Sequence, residues 1–177
     1  MKAILAINKF NVIGDGQDLI WDVPEDLSFF KQMTIGKSVL MGRNTFTSLR
    51  RINGLPNRLN YVLTSSAITH GENVQLISSW DECDEDMIII GGAGMYNHAF
   101  HNGLVDTIYV TQILNLDGDM PDGIKLQNDL FNAIPQDAHG TVYFSGSYWD
   151  YDCITTNFVN SSNSSFQYRI GVLKEKP

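Results

Sequence analysis

Met87-Ile88-Ile89-Ile90-Gly91-Gly92-Ala93-Gly94 is the stretch on which the fold turns. Its apolar residues run without a break between Asp84-Glu85-Asp86 and a cluster of glycines. A strand buried on both faces of a parallel sheet reads this way, whereas a half-exposed strand would alternate. Beyond it, Met95–Phe100 reads as a helix. Glycines between a strand and a helix let backbone N–H groups approach a phosphate at the positively polarised helix start. The dinucleotide fingerprint is incomplete, because Asn97 stands where its last glycine belongs. Taken alone, the motif is equally well a tight strand-to-helix turn.

Further apolar runs alternate with helical segments on both sides of this stretch. Residues 3–8, Ser38–Met41, Leu59–Thr64, Val74–Ile77 and Asp106–Leu116 read as strands. From Glu25 to Met33, apolar Leu27, Phe29, Phe30 and Met33 recur at helical spacing, and Pro24 suits the first turn. A short helix follows Gly42 and runs through Leu49. The last third differs. Val142–Trp149, Tyr151–Phe158 and Phe166–Leu173 predict antiparallel strands, with the polar turn Asn160-Ser161-Ser162-Asn163-Ser164-Ser165 between the last two. The expected fold is α/β: a central mixed, mostly parallel sheet flanked by helices, with antiparallel C-terminal strands. No repeat, linker or compositional break divides the chain, so a single domain over residues 1–177 is expected.

The formal net charge of −8 disfavours a broad nucleic-acid face, since phosphate backbones favour basic surfaces. An anionic small molecule would have to be held by a few placed Arg or Lys and by backbone amides. Cys83 and Cys153 form no CxxC pair, which argues against a disulfide scaffold or a thiolate zinc site and suits a reducing compartment. The apolar run after Met1-Lys2 is too short for a signal peptide and ends at Asn8-Lys9 without a cleavage site. No apolar stretch approaches the ~20 residues of a membrane helix. A cytoplasmic chain without a membrane partner is expected.

No metal is expected either. His98 and His101 are three apart on a helix, but no Cys, Asp or Glu joins them on that face. Asp117-Gly118-Asp119-Met120-Pro121-Asp122-Gly123 breaks the alternating spacing of a calcium loop, and Asn128 replaces the closing Glu. No G-x-S-x-G elbow is present. The two Asn-x-Ser sequons in the polar turn read as a solvated hairpin rather than as glycosylation sites.

Three elements can carry chemistry. Asp26 shares a helix face with Phe30 and Met33, with Leu27 beside them. A carboxylate held in an apolar site acquires a shifted pKa, as acid–base work or recognition of a cationic heterocycle requires. A solvated first-turn acid, favoured by the helix dipole, fits the same pattern. Met41-Gly42-Arg43-Asn44-Thr45 leads a second strand into a helix, where Arg43 and Thr45 could hold phosphate. Thr64-Ser65-Ser66 closes a third strand with hydroxyls and amides. Each could be simple capping. Their repetition at strand ends favours a ligand, because open α/β sheets bind ligands beyond the carboxyl ends of their strands.

In their order these elements resemble the dihydrofolate reductase family. The likeness runs from Ile4 to about Asp119. It rests on Val12-Ile13-Gly14, Trp21-x-x-Pro24-x-Asp26-Leu27-x-x-Phe30, Met41-Gly42-Arg43-x-Thr45, Leu55-Pro56-Asn57-Arg58, Ile90-Gly91-Gly92-Ala93, Tyr96 and Tyr109-Val110-Thr111. The resemblance implies that Asp26 is the single carboxylate of a pterin pocket, supported by the Thr111 hydroxyl and by a water ordered at Trp21. It implies that Ile4, Leu27, Phe30, Ser48, Leu49, Leu55 and Ile90 line the substrate, and that Arg58 grips the substrate's α-carboxylate. Ala6, Ile13 and Tyr96 are similar to contacts of the nicotinamide ring of NADPH, and Ile13, Gly14 and Ile20 to a loop that closes over it. Gly42, Arg43, Asn44, Thr45, Thr64, Ser65, Gly91, Gly92, Ala93, Gly94 and Met95 fall at the family's other cofactor positions, with Gly91-Gly92 at a cis peptide. Gly94 and Asn44 depart from basic or hydroxyl residues frequent in relatives, and Asn57 from a usual glycine.

The activity this resemblance implies is hydride transfer from NADPH to C6 of 7,8-dihydrofolate with a proton added at N5. The expected state is a cytoplasmic monomer that feeds tetrahydrofolate to one-carbon and thymidylate metabolism. Two alternatives are a related-fold reductase of pyrimidines or other pterins, and a non-catalytic pterin-binding or assembly subunit. Arg58 speaks against the first, and the trio Trp21, Asp26 and Thr111 against the second.

Overall fold

The chain starts in the middle of its sheet and works outward. The computed structural model describes residues 1–16, 18 and 20–177. β1, Lys2–Asn8, is buried from its second residue to its last. It pairs in parallel with β6, Ile88–Gly91, on one side and with β7, Thr107–Asn115, on the other. β3, Ser38–Gly42, lies beyond β6, followed by β4, Leu59–Leu63, and β5, Val74–Ile77, all parallel. On the far side of β7 the direction alternates: β12 (Phe166–Glu175), β10 (Ser147–Cys153) and β9 (His139–Phe144) add antiparallel. The sheet runs β5-β4-β3-β6-β1-β7-β12-β10-β9. β11, Val159–Asn160, pairs with β12 off this path. The expected α/β fold, parallel in its centre and antiparallel at its C-terminal end, is what forms.

Helices follow the parallel strands. α1 covers Pro24–Thr34, α2 Arg43–Leu49 and α3 Ala93–His101. α1 begins with Pro24, carries Glu25 and Asp26 in its first turn and Lys31 in its last, all matched to the helix dipole. α2 stops where Arg50 turns left-handed, at φ 53°. One core layer joins Leu5, Ile7, Leu40 and Ile89 to Tyr96 and Phe100 of α3; Val39, Met41 and Val62 pack with Phe46 of α2 in another. Fully burying each such side chain is worth about 1.5–3 kcal/mol.

The expectations for the last third need correction. Val142–Trp149 is not one strand but the hairpin β9–β10, turning at Ser145 and Gly146 with φ of 50° and 84°. Two successive positive φ angles give a hairpin turn whose twist matches its strands. β10 ends at Cys153, so the strand expected over Tyr151–Phe158 stops short. The sequence also gives no sign of several short elements. They are β2 (Val12–Gly14) paired with β8 (Ile124–Lys125), a 3-10 turn at Trp80–Glu82, and α4 at Leu130–Ala133.

Candidate active site

Of the two readings of Asp26, the structure selects the buried one. Asp26 is 8% exposed although it sits in the first turn of α1. Burial pushes its carboxyl up to about 6, against the Thr111 hydroxyl of β7, whose hydrogen bond favours the ionised form. No cation pairs with it among the described residues. Tyr96 of α3 is buried nearby, and burial together with the Asp26 charge pushes its phenol up, so it remains a donor. Its hydroxyl donates to the Ile4 carbonyl at 2.6 Å, tying α3 to β1. Trp21 packs with Ala6, Val23, Ile113 and Phe166, and Ile20 leans on the same cluster. The Trp21 Nε1 donor is buried without an acceptor among the described residues. Further along α1, Phe30 is half-buried, whereas Leu27 is 52% exposed.

The other end of α1 meets Arg58. Arg58 is 8% exposed as a residue, with Nε donating to the Pro56 carbonyl at 2.9 Å and Nη1 to Thr34 Oγ1 at 3.0 Å. Thr34 in turn donates to the Phe30 carbonyl at 2.7 Å. Arg58 also has no acidic partner among the described residues, and burial together with neighbouring Arg51 pushes its pKa down. Asn57, beside it, takes φ 58°, the turn that replaces the family's glycine. Sequence reasoning did not find Thr34, whose type and position carry no sign of that contact. Leu49 and Leu55 pack half-buried against the core near Phe46, together with Ile90, and Ser48 is half-buried on α2.

The strand-to-helix turns at β3–α2 and β6–α3 lie side by side. A Cβ on Gly91 would stand 3.2 Å from Thr45 Oγ1 and 3.6 Å from Tyr96 Oη. A Cβ on Gly42 would meet Met95 Cγ at 3.2 Å, and one on Gly92 would meet Thr45 Oγ1 at 3.4 Å. The Gly91–Gly92 peptide is cis, as the resemblance implies. α3 starts at Ala93 with Gly92 as its cap and no side-chain capping bond. Around Gly94 there is open space. Arg43 and Asn44 are exposed and Thr45 is half-buried at the start of α2. The Thr64 hydroxyl is engaged in its own turn with Ser66, while Ser65 is exposed.

Ile13 and Gly14 lie in β2, Ile13 leaning on the main core. Asp15 and Asp18 bridge the following turn, and Asp18 reaches Arg50 at 3.3 Å. The expected closing loop spans residues 10–23, of which Gln17 and Leu19 lie outside the described residues. No group of His, Cys, Asp or Glu suited to a metal occurs among the described residues. Among the described residues no helix is long and apolar enough to cross a membrane.

Fold and site define a class: an α/β protein with a mostly parallel central sheet, of the kind whose ligands lie beyond the carboxyl ends of the strands. Comparison with known proteins narrows this. A model of the family described as dihydrofolate reductase matches residues 1–141. Dihydrofolate reductase of Bacillus subtilis (strain 168) is 39% identical over 116 residues, 62% of this chain and 67% of that protein. Dihydrofolate reductase type 3 of Salmonella typhimurium is 38% identical over 136 residues, 71% of this chain and 81% of that one. Among solved structures, dihydrofolate reductase from Enterococcus faecalis, complexed with NADP(H) and RAB-propyl, superposes with a TM-score of 0.70. It is 25% identical, over 99% of this chain and 96% of that one. The chain belongs to the dihydrofolate reductase family.

Proposed function

We propose that this chain reduces 7,8-dihydrofolate to tetrahydrofolate with NADPH, for one-carbon and thymidylate metabolism. One observation carries the reading. The buried residues of α1 are Asp26 and Thr34, and at these two ends lie an acid without a cation and a cation without an acid. Eight residues of helix separate them, about 12 Å at 1.5 Å per residue. An uncompensated buried charge is costly in the free protein and is offset when a ligand brings the opposite charge. A ligand with a cationic or hydrogen-bond-donating ring at one end and a carboxylate at the other fits both. Dihydrofolate is such a molecule, whereas a free pterin or pyrimidine would leave Arg58 unpaired.

The residues present also fit the cofactor. Gly42, Gly91, Gly92, Thr45 and Tyr96 form a cradle that added Cβ atoms would crowd, and Arg43 lies exposed at the same strand end. Bound there, the reduced nicotinamide supplies the hydride that C6 of the pterin receives. The chain's own residues align and control charge. Asp26 holds the pterin's 2-amino group and ring nitrogen, with Thr111 fixing the carboxyl. Trp21 Nε1, lacking an acceptor among the described residues, is placed to hold a water, and that water brings the proton to N5. Ile4, Leu27, Phe30, Ser48, Leu49, Leu55 and Ile90 wall the substrate. Ala6, Ile13 and Tyr96 face the nicotinamide; Ile13, Gly14 and Ile20 belong to the segment that keeps bulk water out. Arg43, Asn44, Thr45, Thr64, Ser65, Ala93, Gly94 and Met95 serve the rest of the cofactor. We read the active form as a single-domain cytoplasmic monomer. Replacing Arg58 with Gln tests the reading. KM for dihydrofolate should rise at least tenfold, the order of a lost charge-assisted bond, while the KM for NADPH stays put. An unchanged KM for dihydrofolate would remove Arg58 from the site.

A further inference from the structure

The polar turn at residues 160–165 lies outside the machinery described so far, yet it is fastened to the start of α1. Ser161 Oγ donates to Glu25 Oε2 at 2.6 Å, the Ser162 amide donates to Glu25 Oε1, and Asn163 Nδ2 donates to the Asp22 carbonyl at 3.0 Å. The turn is ordered before it reaches α1: the Asn163 amide donates to Ser161 Oγ at 3.1 Å and the Ser165 amide to Asn163 Oδ1 at 3.3 Å. Ser161 is buried. Beneath these bonds, Phe166 and Tyr168 of β12 pack on Trp21 and Val23. The start of α1 needs such support, because its cap residue Val23 offers no side-chain bond to the orphan amides of the first turn.

We propose that this turn is a latch on the first turn of α1, and that Glu25 is the positioning residue through which it holds Asp26 and Trp21 in place; the proposal rests on the reductase reading above. Glu25 itself touches neither ligand. It precedes Asp26 in the chain, with its carboxylate directed to the turn while the Asp26 side chain is buried. The groups facing Glu25 are Ser161, Ser162 and the Tyr168 phenol; no Lys, Arg or His forms an ion pair with it among the described residues. Burial raises the Glu25 carboxyl, but the bonds from Ser161, from Ser162 and from Glu25's own backbone amide outweigh it and bring it down to about 2. The latch therefore stays closed across the pH range in which Asp26, faced by Thr111 and Tyr96, changes charge. Opening it would admit water to Asp26 and return its carboxyl toward the ordinary range.

The test uses Glu25→Gln and Ser161→Ala, with Ser161→Thr as the variant that keeps the hydroxyl. Amide hydrogen exchange over residues 22–27 should quicken about tenfold in the first two, the order of one lost bond to a charged acceptor. KM for dihydrofolate should rise more than kcat falls, and the midpoint of the pH–turnover profile should move down from about 6. Ser161→Thr should restore all three. Unchanged exchange at 22–27, or exchange that quickens equally in β3, β4 and β5, would overturn the latch. Failure of the parent to turn over dihydrofolate would sink the reductase reading instead, and exchange would still judge the latch.

Discussion

Asp26 shows how one side chain sets stability against function. Burial raises its carboxyl from 3.8 to about 6, so the folded chain binds that proton more tightly than the unfolded chain does. Stability is therefore greatest with Asp26 protonated and is lost as pH rises from about 4 through about 6. Above that, ionised Asp26 costs up to about 3 kcal/mol, two pKa units at 1.36 kcal/mol each. Asp26→Asn should gain stability in denaturant titrations at pH 8, by an amount that vanishes below pH 4, while turnover collapses. Equal stability of the two proteins at both pH values would show that the carboxyl is not perturbed as described. From the sequence, Asp26 could be read two ways, because a first-turn acid is normal whether or not it is buried. Arg58 gave still less sign of its burial, since the contacts that hold it come from Thr34 and Pro56 through folding. The glycines at 91 and 92, by contrast, announced a tight strand-to-helix turn, and added Cβ atoms there would indeed crowd Thr45 and Tyr96.

At the scale of elements, legibility depended on length and on what a strand is buried against. β6 and β1 could be read because strands covered on both faces show continuous apolar runs. β9 and β10 merged into one segment because apolar and aromatic residues run through both, although the inward positions shift from even numbers (Val142, Phe144) to odd ones (Trp149, Tyr151) across the turn. The Ser145-Gly146 pair was the available signal for that turn. β2 and β8 are too short for any periodicity to register. Arg169 of β12 holds the antiparallel half together. It donates to Gln112 Oε1 at 2.9 Å and to the carbonyls of Gln136 at 3.0 Å and Pro135 at 2.8 Å, and it stacks on Tyr151 and Phe158. Arg169→Ala should cost about 2 kcal/mol, since one buried and two partly buried acceptors lose their donor; a loss below 1 kcal/mol in urea titration would show that these bonds contribute little. At α3, Gly94→Ser should be tolerated, because nothing lies within 4 Å of the added Cβ. It should stabilise the helix by roughly 0.5 kcal/mol and tighten NADPH relative to NADH, as fluorescence titration would register. Unchanged binding of both cofactors would place the cofactor elsewhere.

Across the whole molecule, the parallel half supplies the strand ends at which the ligands are proposed to bind, and the antiparallel half adds to it from β7 outward. The likeness in sequence ends before the likeness in structure: the family match stops at residue 141, while the structural superposition continues through 99% of the chain. The terminal strands therefore keep their geometry with different residues. Turnover should report the two halves together, through the proton of Asp26. The most direct measurement is the loss of NADPH absorbance on adding dihydrofolate, followed from pH 5 to pH 9 for the parent and for Asp26→Asn. The parent should consume NADPH with a midpoint near pH 6, falling on the alkaline side as the proton bound for N5 becomes scarce, and the variant should be slower by orders of magnitude near neutral pH. A parent that consumes no NADPH, or an Asp26→Asn variant as fast as the parent with the same profile, would contradict the reading of this cleft as a reductase site built on Asp26.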